Sequence, residues 1–350
     1  MTIAIVAAAT GRALDALVTA CRELDATELW APLATPAWLA RAPGPVGRYA
    51  RRRQVPHAIA APHLLAAEAG LRAWAGGRTD RRYQADFALR AAIDAWAARE
   101  VRRRRPRIVI APSLAARRTF AAARAIGAAT VLALDVPLLR ALHHDLDRAA
   151  TAWPARDFLR RFRAPSWAIA RQDAERVLAD LVLVRGGYAH ALCLADGVPP
   201  ARLARLPAPP SPVGPRPTAP TGRIRLAGLA AARHGVDTAL EVARALGKTL
   251  VVRIGEGTEP ADLAQRAGVA VDDGPVDAIV CPAICEAYPA EVRTTGIPVI
   301  ASPMASPDGD GPDPYDARAF ADAVAHARPT APPPAPSLAS SLATVLAARR

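Results

Sequence analysis

Residues 277–302 read DAIVCPAICEAYPAEVRTTGIPVIAS. The apolar runs 277–281 and 297–301 are too short for helices and rich in β-branched residues, so they read as buried strands. Between them the pattern predicts a loop and then a helix carrying Glu291. A strand, a helix and a second strand in close succession form a parallel crossover. Ligands of parallel sheets bind beyond the carboxyl ends of the strands. Glu286 and Glu291 are therefore candidates to accept hydrogen bonds from sugar or ribose hydroxyls. The backbone amides around Thr294 and Thr295 are candidates to lie beside a diphosphate. A capped helix with surface glutamates would look the same.

The same rhythm extends upstream. A predicted strand over 249–254 ends at Gly255-Glu256-Gly257, where glycines permit close backbone approach. Pro260 prevents this from completing a G-x-G-x-x-G motif, and a tight turn explains it equally well. A strand over 223–228 runs into GLAAARHG, Gly228 to Gly235, with a helix beginning near Val236. Amides at a helix start suit phosphate. Arg233 and His234 add donors there, and a guanidinium can grip phosphate through two bonds. Residues 207–222 hold seven prolines and few apolar anchors, the composition of an extended linker.

The first half alternates in the same way. Strands are expected at 3–8, 108–113, 130–136, 181–184 and 201–209. Helices are expected over 13–24, 83–104, up to Ile126, over most of 138–180, and over 188–195. The run Arg102–Arg105 places cations at a helix C-terminus, and Pro106 stops that helix. A second Pro-rich stretch at 329–336 precedes a short helix at 337–348. The fold class is thus α/β with two domains, 1–206 and 223–328.

The chain has 350 residues and a formal charge of +13. Residues 1–206 carry 32 basic and 17 acidic side chains, while residues 223–350 carry 12 and 15. The positive field thus belongs to the first half, where it suits anionic partners, including peripheral contact with an anionic membrane surface. Heavy arginine usage accounts for it equally well, since Lys248 is the only lysine. No interleaved aromatics or known module accompany the basic run, so no nucleic acid is expected. Cys21, Cys193, Cys281 and Cys285 form no C-x-x-C pair, and no D-x-D is evident, so no metal or cofactor is expected. No apolar run approaches the ~20 residues of a membrane span. The expectation is a cytoplasmic protein.

Taken together, these blocks resemble the retaining GT-B glycosyltransferases of family 4. Their second domain reads G-R-x-x-x-x-K-G, then G-x-G, then D-x-x-x-x-P-S-x-x-E-G-F-G…E-A-M-A-x-G-x-P-V-I-A-S. The matching residues are Gly228, His234 and Gly235; Gly255 and Gly257; and Asp277, Pro282, Glu286, Glu291, Gly296, Pro298 and Ser302. In the first half, residues 170–209 are similar to R-x-x-x-E-x-x-x-A-D-x-V-x-V…G-V-P. Residues 124–137 are similar to A-x-x-x-G-x-x-x-V-L-D-x-P.

The resemblance implies two Rossmann-like domains facing a cleft, with the last helix crossing back to the first. It implies sugar transfer, with retention, from a nucleotide-sugar to a glycan, lipid-linked or small-molecule acceptor, as in polysaccharide biosynthesis. It assigns Glu286 to the donor sugar and Glu291 to the ribose. Its active-site histidine falls near Arg140 and His143. The sequence departs where the family's phosphate-binding Arg and Lys become Leu229 and His234, and where its two glutamates stand closer together. A catalytically silent binding or partner subunit is the alternative.

Overall fold

The computed structural model describes residues 2–7, 17–19, 21–35, 41, 55, 58–76, 78–153, 159, 162–206, 219–253, 268–272, 274–286, 297–327, 340 and 342–343. Two parallel sheets make up its two halves. The first contains β1 (Thr2–Val6), β2 (Ala26–Trp30), β3 (Ile108–Pro112), β4 (Ala129–Ala133), β5 (Leu181–Val184) and β6 (Leu203–Arg205), in the order β2-β1-β3-β4-β5-β6. Its helices are α1 (Pro62–Ala75), α2 (Thr79–Arg104), α3 (Arg117–Ala125), α4 (Leu139–Ala152), α5 (Ser166–Leu178) and α6 (Gly187–Ala195).

Strands β3, β4 and β5 are buried at every residue, as expected of parallel strands covered on both faces. One face packs Ala4, Val109, Leu132 and Val182 against Ile93, Trp96 and Phe120. The other packs Ile3, Ile5, Ile110 and Val131 against Leu17, Val18 and Leu342. Leu342, near the end of the chain, is thus fully buried in the first half.

The second sheet contains β7 (Arg223–Leu229), β8 (Thr249–Arg253), β9 (Val269–Val271), β10 (Ala278–Cys281) and β11 (Val299–Ala301), in the order β11-β10-β7-β8-β9. Helices α7 (Val236–Ala245) and α8 (Ala317–His326) pack Val236, Leu240 and Phe320 onto Ile224, Leu226, Leu250 and Val280. Asp277 fastens the start of this half, accepting from the Thr221 amide at 2.6 Å and from Lys248 at 2.5 Å. Partial burial works against its charge, but Lys248 and Thr221 outweigh it and hold the carboxyl down to about 2.

Four elements were not foreseen: β2, α1, β9 and α8. Strand β2 sits at a sheet edge and buries only Trp30, so its apolar signal is a single residue, edge-on to Trp96 at 6.3 Å. The strand expected over 201–209 is shorter: a 3-10 turn occupies Pro200–Arg202, and β6 follows. The helix expected to carry Glu291 lies outside the described residues.

Candidate functional site

Strand order reverses between β1 and β3 in the first sheet and between β7 and β10 in the second. At such switch points the chain leaves a crevice beyond the strand ends. The two crevices adjoin. Leu114, Leu139, Leu142 and Leu146 of the first half share one buried cluster with Ala232, Ile284 and Cys285 of the second. Beside that cluster lies a cavity of about 530 Å³. Its floor comes from the ends of β1 to β4 (Ala7, Ala31, Leu33, Leu114, Val136) and from α2 (Tyr83, Asp86, Phe87, Arg90, Ile93), and Arg233 reaches it from the second half.

On the second-half side, β7 ends at a register shift between Arg225 and Leu229, with Gly228 at φ 79°. A 3-10 turn (Ala232–His234) then leads through Gly235, at φ 76°, into α7. A Cβ on Gly235 would sit 1.8 Å from the Pro282 carbonyl oxygen. The Ile284 amide donates to the Arg233 carbonyl at 3.2 Å. The loops after β7 and β10 are therefore in contact, as a shared site requires. Arg233 is exposed, and its charge acts on Tyr83 and on Cys285, so its side chain lies against the first half. His234 instead is buried, at 8% exposure. Gly255, Gly257, Glu291, Thr294 and Thr295 lie outside the described residues.

Glu286 is buried, at 9% exposure, where the two halves meet. Its Oε2 accepts from the Leu138 amide at 3.3 Å, at the N-terminus of α4. Burial pushes its carboxyl up to about 7, with Asp145 adding repulsion, against the Leu138 bond and the Arg185 charge. Asp145 is itself buried. Its pKa is pushed up to about 6 by burial, although the Tyr188 hydroxyl donates to it at 3.0 Å. A carboxylate pair spanning both halves was not foreseen in the sequence. The available signal was Asp145 on the apolar stripe of α4, between Leu142, Leu146 and Ala149.

Two first-half expectations are corrected. Arg140 is not at the cleft: its side chain is 67% exposed and pairs with Asp173 at 2.6 Å. His143 is not there either. Its Nε2 accepts from the Ala164 amide at 2.8 Å, tying α4 to the segment before α5. Burial, then the Arg163 charge, lower its pKa, which keeps that nitrogen an acceptor. The helix period explains Arg140: Leu139, Leu142 and Leu146 turn inward and Arg140 turns to solvent. His143, one turn after Leu139, is half-buried, but its ring is taken up by the Ala164 amide.

The loop after β3 is held by charges from distant helices. Glu175 accepts from the amides of Leu114, Ala116 and Arg117 at 2.6, 2.9 and 3.1 Å. Asp94 accepts from the amides of Arg118 and Thr119, both at 2.8 Å, and pairs with Arg171. These acceptors cap α3 in place of a local N-cap side chain. Among the described residues, no group of three or more His, Cys, Asp or Glu is placed to hold a metal, and no helix is long and apolar enough to cross a membrane.

No family model and no curated protein matches the chain. Solved structures do. The UDP-GlcNAc 2-epimerase of Methanocaldococcus jannaschii, in complex with UDP-GlcNAc and UDP, is similar at a TM-score of 0.53 and 7% identity, over 99% of this chain and 100% of that one. The sucrose-phosphate synthase of Thermosynechococcus elongatus is similar at a TM-score of 0.51 and 14% identity, over 93% and 89%. The likeness extends over nearly the whole chain, and the fold is GT-B.

Proposed function

We propose that this chain is a glycosyltransferase that moves a sugar from a nucleotide-sugar donor to a hydroxyl-bearing acceptor, with retention and without a metal. The observation that carries this reading is Arg233: it follows β7 at one switch point and borders the cavity at the other. A cation there meets the donor diphosphate as it departs, and stabilising the leaving charge is the main task of such a site. The acceptor oxygen bonds to the anomeric carbon as the bond from that carbon to the diphosphate breaks. The nucleoside diphosphate leaves with the acceptor's proton. The walls of the two halves exclude water from the reacting sugar. Glu286, the donor-sugar contact in the resembling family, is bonded to Leu138 in this closed arrangement, so the halves part to admit donor. The fold shared with an epimerase bound to UDP and UDP-GlcNAc makes UDP the first nucleotide to try.

A silent binding or partner protein is the second reading, favoured by the burial of His234 where the family has a phosphate-binding lysine. Thermal-shift titration with UDP, GDP and their sugars separates the two, followed by donor turnover with and without EDTA. A ligand bound only by the folded chain raises Tm. The transferase reading expects a shift with one nucleotide, lost in Arg233→Ala, and turnover unaffected by EDTA. A shift without turnover against any acceptor class favours the silent reading, and no shift at millimolar nucleotide overturns donor binding.

A further inference from the structure

We infer that the first-half cavity admits a small acceptor with a compact apolar body and a free hydroxyl, such as a phenol or an alicyclic alcohol, rather than an oligosaccharide or a phosphate-headed lipid. This rests on the transferase reading and names its acceptor class. A volume of about 530 Å³ is that of a small-molecule site. Leu33, Phe87, Leu89, Ile93 and Val136 supply aliphatic and aromatic wall. Most of the charges at the wall are paired within the protein: Arg72 with Glu68 at 2.9 Å, and Arg90 with Asp135 at 2.8 Å. They make rigid polar wall rather than ligand contacts.

Asp86 and Arg233 differ: among the described residues neither has an ion pair, and both charges act on Tyr83, so they border the same part of the cavity. Asp86 accepts a hydrogen bond from the acceptor hydroxyl, and Arg233 stands on the donor side. An oligosaccharide needs rows of hydrogen-bonding groups that are free to bond; here Glu68, Arg72 and Arg90 are already paired, and Leu33, Phe87, Leu89, Ile93 and Val136 offer none. For a phosphate headgroup, two of the three wall arginines, Arg72 and Arg90, are already engaged by Glu68 and Asp135, and the Asp86 carboxylate offsets Arg233.

The test uses the full chain without nucleotide, so it does not depend on donor binding. Fluorescence titration with 4-methylumbelliferone, a compact phenol, is compared with calorimetric titration of maltotriose and of undecaprenyl phosphate in detergent micelles. The expected result is saturable binding of the phenol alone. Leu33→Trp, which fills the cavity from a half-buried wall position, weakens it by about tenfold or more at unchanged Tm. Asp86→Asn weakens it by a smaller factor. Val136→Trp, at a second half-buried wall position, serves if Leu33→Trp does not fold. Absence of saturable phenol binding overturns the proposal, as does phenol binding indifferent to both wall variants. Binding of maltotriose or the polyprenyl phosphate that a wall variant abolishes overturns it too. Phenol binding alongside a failed nucleotide screen leaves the cavity assignment standing and removes only the transferase reading.

Discussion

The Oε2 of Glu286 in the second half lies 3.3 Å from the backbone nitrogen of Leu138, which begins α4 in the first. A helix N-terminus favours an anion, yet burial dominates and pushes the carboxyl up to about 7. Asp145, at about 6, shares the surroundings, facing Tyr188, His144 and Arg148. The side chains of Tyr315 and Cys285 feel its charge.

Both carboxyls hold their protons more tightly in the folded chain than at their ordinary values of 4.5 and 3.8. Their stabilisation is fully present below those ordinary values. It declines as pH rises, because the unfolded chain releases its protons first, and is gone above about 7. We expect unfolding free energy to fall by roughly 4 kcal/mol between about pH 5 and pH 8 through these groups. Glu286→Gln with Asp145→Asn keeps the bonds to Leu138 and Tyr188 but does not titrate. Urea melts across that range should show a flatter slope in the double variant. An unchanged slope refutes the assignment.

The contact between Gly235 and Pro282 holds the two loops of the second-half switch point together. Gly235→Ala combines a left-handed backbone with a Cβ placed 1.8 Å from a carbonyl oxygen. Gly247 is also left-handed, at φ 60°, but a Cβ there meets nothing within 4 Å. Gly247→Ala should therefore cost only about 1–2 kcal/mol of conformational strain, whereas Gly235→Ala should cost roughly 2–4 kcal/mol. Equal midpoints for the two variants in urea would show that the close approach carries no energy.

Glu175 gathers three amides of the loop that includes Leu114, a non-glycine residue at φ 68°. Glu175→Ala leaves these three amide donors without an acceptor, while Arg171 keeps Asp94 and the Leu114 carbonyl; the expected cost is about 3–5 kcal/mol. Hydrogen exchange should then quicken first at residues 114–119. Uniform quickening across the first half would mean that the network stabilises the sheet as a whole and does not pin the loop.

The alternation of strand and helix was legible because buried parallel strands such as β3 and β5 are unbroken apolar runs. The site was less legible because its polar groups act across long separations. Arg171 and Glu175 stand at a recognisable spacing, but Glu175 serves amides 58 to 61 residues away, and no local pattern encodes such a partner. Arg233 could be singled out because it stands in the short connection between β7 and α7. Arg140 was placed by alignment to a motif, and the helix turns it outward to Asp173. Asp86, on a long helix with no strand end beside it, left no trace in the sequence.

The segment after β11 clasps the first half, and its strength is separable from that of the two cores. Gly187 donates its amide to the Pro307 carbonyl at 2.7 Å; Arg205 pairs with Asp308 at 2.9 Å; and Tyr315 packs against Trp153, ring centres 4.9 Å apart and planes tilted by 58°. Arg148 covers the Tyr315 ring and pairs with Asp313. The exposed ion pairs each contribute at most about 1 kcal/mol, so Arg205→Ala should leave the halves closed. Gly187→Ala should not: its Cβ would fall 2.2 Å from the Asp308 backbone, with no flexible side chain to yield. The expected outcome is a larger radius of gyration by small-angle scattering, with the circular dichroism of both sheets retained. Opening would also expose Glu286 to water and return its titration toward the ordinary carboxylate range. A scattering profile identical to that of the parent chain would mean that the Leu138–Glu286 contact and the apolar cluster around Ile284 close the cleft without the clasp.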